Sequence, residues 1–248
     1  MRGSLHSTFL DSISPTLAQM AFIRKLGEYR GKQALFNRQR PDALETLRRS
    51  AIIESSESSN RLEGIVAPRR VIEGLVLKDL RPKNRSEGEI AGYKRALDLI
   101  HESAEHMPIS NNVILQLHKT LYAYHPADGG KWKPNDNDII ERNSAGEVIR
   151  VRFKPVSAVE TPTAMDELID RYHHCIQDLQ IEPLIIIPLF ILDFLCVHPF
   201  SDGNGRSARL LTLILLYQHG YEVGRYISLE RLIEGNYSAK KCLTGFFE

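Results

Sequence analysis

Residues 198–209 read His198-Pro199-Phe200-Ser201-Asp202-Gly203-Asn204-Gly205-Arg206-Ser207-Ala208-Arg209. The ordinary pKa of an imidazole suits proton transfer near neutrality, so His198 is a candidate general base. Asp202 is a hard oxygen ligand of the kind that holds Mg²⁺, a cation that travels with phosphate chains. Gly203 and Gly205 allow positive φ and close approach of a ligand to the backbone. Asn204 is expected to cap the helix that follows. That would put residues 202–206 at a helix N-terminus, where free amides and the helix dipole favour an anion. Arg206 and Arg209, at i and i+3, should share a face and offer guanidinium forks to phosphate oxygens. Taken singly, each feature has an ordinary structural explanation: a helix-end histidine, a Gly-Asn-Gly turn, a solvated arginine pair. Crowded together at one helix start, they point to phosphoryl or nucleotidyl transfer to a hydroxyl. They do not say which phosphate is attacked.

Two apolar runs must position this loop. Leu184–Val197 leads in and Leu210–Tyr217 leads out. The second is apolar almost all round, which predicts a buried central helix and a rigid mount. Pro188 in the first should kink or restart its helix. Elsewhere helical periodicity dominates. Leu17–Tyr29 is one helix. Another starts at Pro41 and ends near Gly64, and a short one follows Pro68. Ser86–Glu102 should open with a Ser86/Glu89 capping box. Ser110–Tyr124 and Thr163–Gln180 complete the set. Between Asp138 and Val156 the period drops to two: Ile149, Val151 and Phe153 alternate with Arg150 and Arg152. With turn residues at Asn143–Gly146 and a partner at Ile139–Glu141, this is a β-hairpin. The expected fold is mainly α, a helical bundle with one small hairpin.

The 248-residue chain has 32 basic and 31 acidic residues, a net charge of +1. No global charge draws it to nucleic acid or an anionic membrane. Cys175, Cys196 and Cys242 are scattered, with neither disulfide nor zinc spacing. No signal-like apolar segment follows Met1–Ser4, and no apolar run is long enough to span a bilayer. A cytoplasmic protein with no membrane partner is expected.

The run HPFSDGNGRSAR resembles the Fic (filamentation induced by cAMP) motif HxFx(D/E)GNGRxxR at each defined position. The likeness extends over roughly residues 50–235, with residues 138–156 where that family carries a flap hairpin. The resemblance implies a Fic-type helical bundle, an N-terminal helical region over residues 1–70 and a catalytic core over 71–248. It also implies adenylyl transfer from ATP. His198 would deprotonate a Ser, Thr or Tyr hydroxyl of a target protein, or of the chain itself, for attack on the α-phosphate. Asp202 would hold Mg²⁺. Gly203, Asn204 and Gly205 would cradle the α- and β-phosphates, and Arg206 and Arg209 the β- and γ-phosphates. Strand residues Ile149, Arg150, Val151 and Arg152 would align the target segment by β-augmentation. Residues 59–64, Ser59-Asn60-Arg61-Leu62-Glu63-Gly64, resemble the family's inhibitory motif (S/T)xxxE(G/N). Glu63 would then pair with Arg209 and displace the γ-phosphate, with Ser59 orienting it. Removal of AMP by a Glu63-activated water, transfer of another nucleotide, and a binding module without catalysis all stay open. So does a homo-oligomer in which Glu63 acts on a second copy.

Overall fold

In the computed structural model, residues 3–39, 41–142 and 147–236 are described. The apolar periodicity becomes helix almost everywhere it was expected. Helix α1 spans Ser7–Leu10, α2 Leu17–Gln39, α3 Pro41–Arg61 and α4 Arg69–Lys78. Helix α5 spans Arg85–Ser103 and α6 Asn111–Leu121. Strands β1 (Ile139–Arg142) and β2 (Val148–Phe153) pair antiparallel, with Ile140 opposite Val151 and Glu141 opposite Arg150. Then come α7 (Thr161–His173), α8 (Pro183–Val197), α9 (Asn204–Gln218) and α10 (Leu229–Gly235).

Helix α9 is the axis of the bundle. Leu210, Leu211, Leu213, Ile214 and Leu215 are all buried, and α3, α5, α6 and α8 pack around them. A smaller apolar cluster (Ile53, Ile72, Leu75, Val76, Ile90) joins α3, α4 and α5. Helix α3 also lies against α10. Its last turns face inward through Ser55, Ser56, Ser58, Ser59 and Asn60, which are 0–2% exposed. Ser55 and Tyr93 donate to the buried Glu230 carboxylate at 2.7 and 2.8 Å. Among the described residues no helix is long and apolar enough to cross a membrane.

Three local expectations are corrected. The capping box of α5 lies two residues earlier than expected. Asn84 is the cap, its side chain accepting from the Glu87 amide, while Glu87 reaches back to the Lys83 amide. That shift turns Glu89 inward. Helix α8 does not restart at Pro188: it is one helix, which forgoes a single backbone hydrogen bond and is held by Ile186, Ile187, Phe190 and Phe194 in the core. Asn204 is the first helical residue of α9 and not its cap; the capping position is Gly203, at φ 78°. The expected turn Asn143–Gly146 lies outside the described residues, as does Cys242.

Candidate functional site

Helix α8 ends at Val197, and His198 terminates it in the left-handed region (φ 52°, ψ 59°). A non-glycine residue there carries roughly 1–2 kcal/mol of strain unless its surroundings hold it. They do. The buried Lys133 donates its amide to Pro199 O (2.8 Å) and its ammonium to Val197 O (3.2 Å) and Asn137 Oδ1 (2.7 Å). The Asn137 amide donates to His198 O (3.3 Å) and Phe200 O (2.9 Å). Asn204 closes the loop from the other side, accepting from Phe200 N at 2.9 Å and donating to Phe200 O at 2.7 Å. Phe200 is buried and stacks on His118, with ring centroids 3.7 Å apart and planes 4° apart. His198 is thus presented by a loop tied at several backbone atoms. Burial lowers its pKa below the ordinary 6.5. Lys133 acts the same way, while the Leu195 carbonyl, Glu63 and Asp202 oppose it.

The loop returns through Asp202 and Gly203 into α9. The first-turn amides of α9 have no carbonyl one turn back to bond, and they face the loop mouth. A side chain on Gly203 would press on the Tyr122 ring, and one on Gly205 would overlap Glu63 Oε1. Gly203 is therefore required by its φ and by the close Tyr122 ring, whereas a side chain on Gly205 would have to displace the Glu63 carboxylate. Asn204 offers this mouth only its backbone, because its side chain is turned inward onto Phe200.

Asp202 has a largely exposed side chain, held at both oxygens. Oδ1 accepts from Gly203 N (2.7 Å), and Oδ2 from the Tyr122 hydroxyl (2.8 Å). Burial pushes its pKa up, but Tyr122, Arg206 and the Gly203 amide outweigh that and hold the carboxyl below its ordinary value. His118 braces the same residue from below. Gly130 N donates to its Nδ1 (3.0 Å), so the ring proton sits on Nε2 and is donated to Asp202 O (3.0 Å). Burial brings the His118 pKa down to about 4, keeping the ring neutral.

The two arginines, expected on one face, part company. Arg206 is 1% exposed, with Nη1 on Glu89 Oε2 (2.5 Å) and Nη2 on the Tyr122 oxygen (2.8 Å). Arg209 lies at the loop mouth. Its Nη2 meets Glu63 Oε1 (2.7 Å) and Ser59 O (2.9 Å), and its Nε donates to Ser59 Oγ (2.8 Å). Glu63 reaches it from a well-defined helix end. Gly64, at φ 76°, lets Ile65 N bond Asn60 O and Gly64 N bond Arg61 O, the paired hydrogen bonds of a Schellman motif. Next to it, Arg61 ties α3 to α10 through both oxygens of Glu234.

Of the flap residues, Ile149 and Val151 are exposed, and Arg150 is paired across the hairpin with Glu141 at 2.6 Å. The structure therefore brings His198, Asp202, Gly203, Gly205, Arg209, Ser59 and Glu63 to one mouth, with Arg206 behind it. Sequence reasoning missed Glu89, His118, Tyr122, Lys133 and Asn137. The one local signal for the last two was the chain's single tryptophan, Trp132, which stacks on Phe200.

Residues 108–216 match the family model described as Fic/DOC family. These residues form a Fic domain. Among curated relatives, the chain is 28% identical over 141 residues to "Protein adenylyltransferase fic-1" of Caenorhabditis elegans, covering 55% of this chain and 25% of that one. "Protein adenylyltransferase Fic" of Drosophila mojavensis is 28% identical over 138 residues, 54% of this chain and 24% of that protein. The chain spans about a quarter of the length of these relatives. Among solved structures, a Fic domain containing signaling protein from Bacteroides thetaiotaomicron superposes with a TM-score of 0.71 at 25% identity, covering 89% of this chain and 81% of the other. The site lies within or against this Fic domain: His198–Arg209 is inside it, while Ser59 and Glu63 come from α3, outside the matched residues.

Proposed function

We propose that this chain is an adenylyltransferase that moves AMP from ATP onto a protein hydroxyl, and that it rests in an inhibited state. The observation that carries the reading is the Glu63–Arg209 pair at the mouth of a loop bearing His198 and an open helix N-terminus. Its relatives' names support the class of transfer.

In this reading the amides of Gly203, Asn204 and Gly205 receive the α- and β-phosphates. His198 is neutral because burial has lowered its pKa, so it can take the hydroxyl proton. The hydroxyl oxygen then bonds to the α-phosphorus. The bond from that phosphorus to the bridging oxygen breaks, and pyrophosphate leaves with the electron pair. Arg209 holds the far end of the chain once Glu63 gives it up, which aligns the bond to be broken with the attacking oxygen. Arg206 acts from behind, through its contacts to Asp202 and Tyr122. The exposed hairpin supplies a strand edge for the target segment.

Asp202 fits the Mg²⁺ expected here. It is a hard, ionised oxygen donor beside the anion-binding amides. Among the described residues it belongs to no cluster of three ligating side chains. That suits a cation bound mostly by phosphate oxygens and water. When bound, Mg²⁺ would offset the charge of the phosphate chain.

Incubation of the Glu63→Gly variant with Mg²⁺ and ATP labelled at the α- or γ-phosphate tests the reading. Mass gain of one AMP, with only the α-label retained, is expected. Retention of the γ-label, or no gain with any added protein, overturns it. Loss of AMP from a modified protein by the unsubstituted chain would favour hydrolysis with Glu63 as base for water.

A further inference from the structure

Glu89, Arg206, Tyr122 and Asp202 form one connected line of polar contacts that starts in the core and ends at the loop mouth. Three of the four are buried. Arg206 has no acceptor, so its Nη2 must donate to the Tyr122 oxygen. The Tyr122 proton is then directed outward, and Asp202 Oδ2 is the atom that receives it at 2.8 Å. Arg206 itself sits 3.4 Å from the same Oδ2, too long and too peripheral to fix the carboxylate alone. The Tyr122 ring is closely confined in this geometry. Tyr122 is 1% exposed, its Cβ is close against Gly129, and its ring edge and hydroxyl are close against Gly203.

We infer that Tyr122 is a positioning residue for the metal-binding carboxylate, orienting Asp202 by a directed hydrogen bond that Glu89 enforces through Arg206. This rests on the reading of Asp202 given under Proposed function. An ionised oxygen has room for more than one partner, so Oδ2 can accept from Tyr122 and still face a cation. Partners behind a ligating carboxylate keep it aimed and lower the ordering cost when the cation arrives. A hydroxyl serves here where a second carboxylate would compete for the metal and a lysine would repel it.

The test is calorimetric binding of α,β-methylene-ATP, which blocks transfer, to Glu63→Gly protein across a Mg²⁺ titration and in chelator. Adding Tyr122→Phe keeps the packed ring and removes only the hydroxyl. The half-saturating Mg²⁺ concentration for nucleotide binding should rise roughly ten-fold, with affinity in chelator unchanged. In an Asp202→Asn background the same tyrosine change should have no further effect on Mg²⁺ dependence. Unchanged Mg²⁺ dependence overturns the proposal. So does an equal loss of affinity in chelator, which would make Tyr122 a packing residue of the loop. If the Glu63→Gly parent binds nucleotide with no Mg²⁺ dependence, the metal role of Asp202 falls first and the proposal with it. Should Tyr122→Phe fail to fold, Glu89→Gln, which loosens Arg206 while Tyr122 is kept, should move the Mg²⁺ dependence in the same direction. No movement there overturns the proposal.

Discussion

Arg206 Nη1 and Glu89 Oε2 meet at 2.5 Å between two buried side chains that lie 117 residues apart in the chain. A charge pair of this kind contributes little beyond an apolar pair of the same volume, but removing one partner strands the other in the core. Arg206→Ala should therefore cost about 3–5 kcal/mol, a fall in melting temperature on the order of 10 °C for a chain of this size. Arg209→Ala, at the half-open mouth, should cost no more than about 1–2 kcal/mol. Thermal unfolding of the two variants side by side checks the contrast. Equal losses would mean that the two arginines share one environment after all.

Glu63→Gly should raise self-labelling from α-labelled ATP by on the order of a hundred-fold, the scale at which a small misalignment of a reacting centre costs rate. His198→Ala in that background should remove at least about a hundred-fold again, as expected for loss of a general base. Labelling rates from gel autoradiography decide both. Labelling that survives His198→Ala would take the proton-acceptor role away from His198.

The pH dependence follows from the same histidine. Burial lowers its pKa below 6.5, and the negative charges of Glu63 and Asp202 push it back up. The base works when neutral, so the rate should rise with pH through a limb below 6.5 and then level off. Glu63→Gly removes one of the opposing charges, so in that variant the limb should lie lower still. A pH–rate profile with its limb at or above 6.5 would contradict this electrostatic assignment.

Glu234 makes a separate prediction for stability. Hydrogen bonds from Arg61 lower its pKa from 4.5 to about 2; burial opposes them, and Ser58 and the charges of Arg61 and Arg231 add to the lowering. A depressed carboxylate stabilises the folded state above its unfolded pKa and loses that contribution as pH falls through its folded pKa. The urea midpoints of the unsubstituted chain and of Glu234→Gln should therefore differ above pH 4.5 and converge as pH falls from 4.5 towards 2. A gap that stays constant would show that the Arg61 contact adds nothing to folding.

The gathering of His198, Asp202, the two glycines and Arg209 was legible because all lie within twelve residues, in one loop and the first turns of α9, where local spacing sets most of the geometry. Glu63 was readable through a helix-end glycine and a short pattern. The residues that hold the loop were not. Glu89 stands in the second turn of α5, one turn past the residues a cap engages, and its inward direction follows from a cap two residues earlier than Ser86. Tyr122, Lys133 and Asn137 meet the loop across 61–80 residues of chain, and no local period encodes such contacts. Arg206 was misplaced for the same reason: spacing of three put it beside Arg209, while Glu89 on α5 and Tyr122 at the end of α6 draw its guanidinium into the core. The hairpin was legible by alternation, although neither Ile149 nor Val151 is buried, so the alternation marks strand and not a core-facing side.

The serines and asparagine on the inner side of α3 have a consequence for how often the proposed brake can be undone. Were that helix end to lift, its own inner side would offer hydroxyl and amide groups to water, and Ser56 Oγ and Asn60 Oδ1, which are buried without a hydrogen-bond partner, would gain one. If Glu63 is the brake proposed above, a polar seam of this kind would let inhibition be withdrawn and restored within a single molecule.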